Sequence, residues 1–165
     1  MKETAIFFGS STGNTENASA IIAESLQADM FNVADNPADE MSKYKNLIFG
    51  ASTWGIGDLQ DDWETFISEV EKADLNGKVV AIFGLGDADA YPDSFVDAMG
   101  TIYNAIRDKG CKLIGMVDSS EYNFDESTAL VDGKFVGLPL DDDNESNLTN
   151  QRIEKWVAQL KQELS

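Results

Sequence analysis

Three apolar runs in this chain do not alternate, and each leads into a glycine-bearing loop and then a helical pattern. They are Ala5-Ile6-Phe7-Phe8, Leu47-Ile48-Phe49-Gly50-Ala51 and Val79-Val80-Ala81-Ile82-Phe83. A strand wetted on one face shows period two; a strand covered on both faces does not. Behind the runs, apolar residues recur at helical spacing: Ala18, Ile21, Ile22 and Leu26; then Trp63, Phe66, Ile67 and Val70; then Phe95, Met99, Ile102, Tyr103 and Ile106. A fourth run covers 113–117, and a terminal helix carries Ile153, Trp156, Val157, Leu160 and Leu164. The moderately apolar stretch 29–33 reads as a strand at or near an edge, and Asn36-Pro37 ends it. One helical turn is expected over 38–44. Strand and helix thus alternate five times, which predicts an α/β fold: a parallel sheet doubly wound by helices on both faces.

The rhythm breaks once. From about 118 to 145 the chain is polar and rich in Gly and Asp, yet it contains Tyr122, Phe124, Leu130 and Phe135, too apolar a set for a disordered loop. The reading is a fifth strand interrupted by an insertion, with a turn at Gly133 and completion near 134–138. The length of 165 residues suits a single domain spanning 1–165.

Charge narrows the function. Thirty acidic against 12 basic residues give −18, which argues against nucleic acid and anionic membranes and favours basic protein partners. Histidine is absent, removing the commonest general base and metal ligand. The lone Cys111 allows no internal disulfide and reads as a half-buried, inert thiol. No stretch approaches membrane-spanning length, and the N-terminus leads almost at once into a strand, so a cytoplasmic protein is expected. Asn144-Glu145-Ser146 matches the glycosylation acceptor pattern, in this context by chance.

On a doubly wound sheet, ligands sit at the carboxyl ends of the strands. Three loops lie there: 9–15, 52–59 and 84–93. The first, Gly9-Ser10-Ser11-Thr12-Gly13-Asn14-Thr15, joins a strand to a helix start, where backbone N–H groups and the helix dipole favour an anion. Its hydroxyls suit a phosphate held by neutral donors alone; an ordinary helix cap at Thr12 or Asn14 is the competing reading. The second and third loops bring Trp54 and Tyr91. Two aromatics flanking a slot suit a flat ring, with Gly55, Gly57, Gly84 and Gly86 letting backbone approach it. Singly, Trp54 also reads as a core or partner-contact residue and Tyr91 as a turn anchor before Pro92. Jointly, the three loops favour a planar mononucleotide that itself does the chemistry, because no nucleophile–base pair appears.

With these motifs in order, the chain resembles the long-chain flavodoxins over nearly its whole length. Residues 9–15 resemble that family's FMN phosphate loop, Ser52-Thr53-Trp54-Gly55-Ile56-Gly57 and Gly84-Leu85-Gly86-Asp87…Tyr91-Pro92 resemble the two loops carrying its flavin-covering aromatics, and the insertion ending in 133–138 resembles the long-chain signature. The strand order 2-1-3-4-5 comes with the resemblance rather than from periodicity, the flavodoxins being themselves a standing example of the switch-point rule. The resemblance implies a low-potential one-electron carrier that shuttles non-covalently bound FMN between semiquinone and hydroquinone. Ser10, Ser11, Thr12, Gly13, Asn14 and Thr15 would hold the phosphate. Trp54 and Tyr91 would sandwich the ring, and Ser52, Thr53, Gly55, Ile56, Gly57, Gly84, Asp87 and Asp93 would line its edges. Many long-chain members have Asn where this chain has Gly55, and glycine tolerates the positive φ that a flipped peptide there requires.

The acidity fits that role. One carboxylate about 12 Å from a reduced, anionic flavin, at an effective dielectric of about 60, disfavours it by roughly 0.5 kcal/mol. Partners implied by the resemblance are basic redox proteins: ferredoxin/flavodoxin–NADP reductase, with photosystem I, nitrogenase or a pyruvate oxidoreductase as further candidates, served by a monomer. The alternative is an FMN-dependent NAD(P)H:quinone-type reductase, in which Trp54 and Tyr91 would have to leave a substrate pocket open. A response-regulator-type module would need acids where this chain has Gly9-Ser10 and Ala51-Ser52.

Overall fold

The computed structural model describes residues 3–9, 13–54, 58–59, 61–142 and 144–164, with Trp54, Asp58, Leu59 and Glu121 described in backbone only. Strands β1 (Thr4–Phe8), β2 (Asp29–Asn32), β3 (Asn46–Trp54) and β5 (Val79–Leu85) form the body of a parallel sheet. Alternate residues of each run go to opposite cores, which is why none of the runs alternates in polarity. Ala5, Phe7, Leu47, Phe49, Val80 and Ile82 face one side; Ile6, Phe8, Ile48, Ala81 and Phe83 face the other. Helices α2 (Asp61–Lys72) and α3 (Asp97–Ile106) cover the first core, and α1 (Asn14–Leu26) and α4 (Ser146–Leu164) the second.

The fifth strand is split, as the insertion predicts. β6 (Lys112–Leu113) pairs with the first residues of β5, and β10 (Leu138–Leu140) pairs in parallel with the last ones. The sheet order is therefore β2-β1-β3-β5, with β6 and β10 sharing the fifth place. The strand is completed later than the expected 134–138. Lys134–Phe135 instead forms β9, the centre of a small antiparallel sheet with β7 (Val117–Asp118) and β8 (Leu130–Val131). Aromatics order this insertion: Phe135 lies 5.3 Å from Tyr122, 5.2 Å from Phe124 and 6.0 Å from Phe95. Gly137 lets the chain rejoin β5, because a Cβ there would stand 1.8 Å from the Ile82 carbonyl oxygen.

The turn expected over 38–44 is present as a 3-10 helix, Ala38–Lys43, preceded by another at Val33–Asp35, and four α-helices lie among the described residues. Two further expectations change. Ile21 is 37% exposed rather than on the buried face of α1, a place taken by the small polar Thr15 and Ser19. The loop 52–59 begins and ends as strand: β3 runs to Trp54, and β4 (Asp58–Leu59) returns antiparallel beside it. Cys111 is half-buried, and burial pushes its thiol up, as an inert side chain requires.

Candidate functional site at the carboxyl edge of the sheet

Parallel pairing brings the three loops to one edge. Phe8 stands opposite Gly50, and Ser52 opposite Leu85, so the chain leaves β1, β3 and β5 on the same side. Gly9 N–H donates to the Gly50 carbonyl at 3.1 Å, tying the first loop to β3 at its base. Among the expected residues, Ser10, Ser11, Thr12, Gly55, Ile56 and Gly57 lie outside the described residues, as does Asp143 of the acidic run 141–143, and the Trp54 side chain is likewise not described.

Helix α1 starts from Gly13, whose φ of 92 lies in the left-handed region and whose side chain, if it had one, would meet nothing within 4 Å. Gly13 makes no side-chain cap, and neither does Asn14, which is the first helical residue rather than the cap. The Gly13 carbonyl already accepts from Asn17 N–H at 2.9 Å, so the helix is wound from its first turn. Its N–H groups and dipole converge on the edge where β1 ends.

Thr15 is fully buried beneath this helix start, and its Oγ1 meets Ser52 Oγ at 2.7 Å. One proton serves that bond, so the other hydroxyl proton of the pair remains for a third group. The pair also fixes α1 to β3. Ser19 Oγ donates to the Thr15 carbonyl at 2.8 Å and holds the same turn.

The third loop is more tightly determined. Asp87 accepts from Ala90 N–H at 2.9 Å and from the Asn144 amide at 2.8 Å. Burial pushes the Asp87 carboxyl up, but hydrogen bonds from Ala90, Asn144 and Asp89 outweigh that, and its pKa is held below the ordinary value. Asn144 also donates to buried Asp141, which in turn accepts from Ala88 N–H at 3.1 Å. Gly86 N–H donates to the Leu140 carbonyl at 2.9 Å. The loop is thus stitched to the end of β10 and the start of α4. Tyr91 stands 42% exposed at its rim, and Asp93 is exposed two residues on.

Gly84 and Gly86 serve the scaffold. A Cβ on Gly84 would lie 2.5 Å from Met99 Cγ, and one on Gly86 would lie 3.0 Å from Val96 N. The space they leave is filled by the segment carrying α3, so packing rather than ligand approach accounts for their small size. Thr53 is committed too: its Oγ1 accepts from Ala98 N–H at 2.9 Å, and its backbone stands in register with Leu59 of β4. Asn144 is the site-supporting residue that the motifs did not indicate, whereas Asp141 belongs to the acidic run 141–143. The acceptor pattern at 144–146 drew attention to Asn144 for another reason, and the amide's value is that it can donate to two carboxylates at once.

Among the described residues there is no helix long and apolar enough to cross a membrane, and no cluster of His, Cys, Asp and Glu that could hold a metal ion. Chemically, the edge offers neutral donors for one anion beside an exposed aromatic and a carboxylate-rich rim.

Comparison with known proteins agrees with this geometry. The flavodoxin family profile matches residues 6–156. A flavodoxin from a Nostoc species is 44% identical over 165 residues, covering 98% of this chain and 97% of its own. Flavodoxin 1 of Escherichia coli is 42% identical over 168 residues, covering 99% of this chain and 96% of its own. Among solved structures, Fusobacterium nucleatum flavodoxin bound to flavin mononucleotide superposes with a TM-score of 0.92 at 32% identity, covering 99% of each chain. With a family profile over most of its length and relatives above 40% identity across nearly all of it, this chain belongs to the flavodoxin family.

Proposed function

We propose that the protein is a one-electron carrier that binds FMN non-covalently at the carboxyl edge of its sheet, the whole chain acting as one flavin-binding unit. As a flavodoxin it is an electron-transfer protein rather than an enzyme, and it serves redox partner proteins. The observation that carries the reading is the start of α1. A wound helix end, begun by a left-handed glycine, points its N–H groups at the edge where three loops meet. That donor set fits a phosphate dianion without any lysine or arginine.

In this assignment Gly13, Asn14 and Thr15 hold the phosphate together with Ser10, Ser11 and Thr12. Ser52, hydrogen-bonded to Thr15, keeps the second loop in register with the first. Trp54 and Tyr91 cover the ring, and Thr53, Gly55, Ile56, Gly57, Gly84, Asp87 and Asp93 border it. Bound FMN supplies the one-electron chemistry; the chain orients it, excludes water from it and sets the field around it. The acids that tune this field include Asp87, whose hydrogen bonds keep it ionised through the neutral range. The same charge supports basic redox partners, with ferredoxin/flavodoxin–NADP reductase first among them, and a cytoplasmic monomer.

The test is to purify the protein, strip and restore the flavin, and follow the visible spectrum through stepwise reduction. A yellow protein that rebinds FMN tightly, discriminates against riboflavin lacking the phosphate by a factor of about 100 or more, and takes up electrons singly is the expected result. A colourless protein that ignores added FMN overturns the proposal.

A further inference from the structure

The Gly50 carbonyl takes hydrogen bonds from two different elements. Gly9 N–H donates to it at 3.1 Å where the chain leaves β1, and the Trp63 indole Nε1 donates to it at 2.7 Å from α2. A peptide oxygen has two lone pairs, and both are used here. The second donor is the exceptional one. Trp63 is the third residue of α2, follows Asp61 and Asp62, and is nonetheless fully buried. Its ring stands edge-on to Phe49 of β3, with centroids 5.6 Å apart, and to Phe66 of its own helix at 5.4 Å, so packing fixes the direction of its N–H.

The other side of the same residue is closed too. A Cβ on Gly50 would lie 2.1 Å from the Phe83 ring. Phe83 belongs to the core beneath α1 and α4, and Trp63 to the core beneath α2 and α3. One residue of β3 is therefore held from both faces of the sheet, at the height where β1 ends, since Gly50 stands opposite Phe8. Loop 9–15 starts with the next residue. A hydrogen bond weakens steeply as its acceptor leaves the line of the N–H. An acceptor that cannot turn therefore also fixes the direction of the Gly9 N–H.

We propose that Trp63 is a positioning residue for the phosphate end of the flavin site, a role that rests on the FMN reading above. Its N–H holds the Gly50 carbonyl, and that carbonyl holds the Gly9 N–H from which loop 9–15 departs. Trp63, buried in the core, acts on the cofactor only through β3 and the end of β1.

The experiment compares the binding of FMN and of riboflavin, which lacks the phosphate, to the full chain stripped of flavin and to its variants. Trp63→benzothienylalanine exchanges the indole N–H for sulfur and keeps the shape; Trp63→Phe is the coarser deletion. Trp156→Phe is the control, because its indole donates in the same way to a glycine carbonyl, that of Gly115 at 2.8 Å, in the other core and just after β6. Both Trp63 changes are expected to weaken FMN by about three- to tenfold, the worth of one hydrogen bond, and riboflavin by less than about twofold. Trp156→Phe lowers the denaturation midpoint but moves the two flavins equally. An FMN-to-riboflavin preference unchanged in the benzothienylalanine variant, or lowered as much by Trp156→Phe, would overturn the role and leave Trp63 as core packing, while the parent's own preference for FMN stands. A parent protein that binds neither flavin overturns the FMN reading itself, and the role of Trp63 with it.

Discussion

Helices α1 and α3 both leave loops at the carboxyl edge, and both begin on a left-handed residue that provides no side-chain cap: Gly13 at φ 92 and Val96 at φ 48. They are finished differently. At α3 the protein closes its own account: Thr53 accepts from Ala98 N–H at 2.9 Å, Asp97 N–H donates to the Ser94 carbonyl at 3.2 Å, and Asp97 Oδ1 accepts from Thr128 N–H at 2.8 Å. A buried β-branched residue in the left-handed region costs about 1–3 kcal/mol, and Val96, fully buried, is held there by those contacts. At α1 the turn rests on glycine, which adopts that φ without strain, and the N–H groups face the edge. One helix start is completed from within; the other opens on the edge where the flavin phosphate is proposed to sit. FMN removal, the largest perturbation, should separate the two. A ligand at about 1,000 times its dissociation constant stabilises by about 4 kcal/mol. Stripping the flavin is therefore expected to lower the melting temperature by several degrees and to accelerate amide exchange at Asn14, Thr15 and Glu16 far more than at Ala98 and Met99. Equal acceleration at both helix starts would end the comparison.

The next effect belongs to α3 alone. Thr53→Val keeps the shape of the side chain but deletes the acceptor, leaving the N–H of fully buried Ala98 unanswered. That should cost about 1–3 kcal/mol in a denaturant titration, and the same amount with and without FMN, because the bond lies within the protein. A loss confined to the loaded form would mean that Thr53 acts through the flavin instead. Gly13→Ala is the counterpart at α1. The new Cβ would meet nothing within 4 Å, so the cost is the left-handed conformation itself, about 1–2 kcal/mol. Here a further loss of FMN affinity is expected on top, since any relaxation of φ turns the first N–H groups away from the edge. Unchanged affinity at reduced stability would sever the helix start from the phosphate.

The same contrast explains what could be read from sequence. Runs such as Ala5-Ile6-Phe7-Phe8 and Val79-Val80-Ala81-Ile82-Phe83 carry their structure in composition, because a doubly covered strand has no polar face to disguise it. The start of α1 was legible for a related reason: a helix start is local, and the glycine that begins it stands next to the helical spacing that follows. The fifth strand was only partly legible. Its halves, 112–113 and 138–140, are too short to show any period, and the two residues expected to finish it, Lys134 and Phe135, pair with the insertion because Phe135 finds Phe95, Tyr122 and Phe124 there. Glycine was ambiguous as well. At Gly84 the absence of a side chain serves Met99, a partner 15 residues along the chain that no local motif announces. Asn144 was illegible for the same reason, since its two carboxylate partners, Asp87 and Asp141, meet only through the fold.

Asn144 also gives the smallest and most discriminating test of how the 87–90 turn is finished. Its amide bonds Asp87 at 2.8 Å and Asp141 at 2.9 Å, but Asp141 keeps the backbone N–H bonds of Ala88 and Asn144, so Asn144→Ala should cost only about 1 kcal/mol at neutral pH. The sign of its pH dependence follows from Asp87, whose pKa in the folded protein lies below the ordinary 3.8. A carboxylate with a depressed folded pKa contributes stability above its unfolded pKa and loses that contribution as pH falls through the folded one. The difference between the parent and Asn144→Ala should therefore be full above about pH 5 and narrow as the solution is acidified below 3.8. Because the turn is fastened by Ala90, Ala88 and Leu140 as well, the flavin should remain bound throughout the neutral range, and its second one-electron potential should rise slightly as Asp87 loses its anchor. A stability difference that stays constant down to acid pH would show that the amide works as a packing group, and the turn would then be finished by backbone bonds alone.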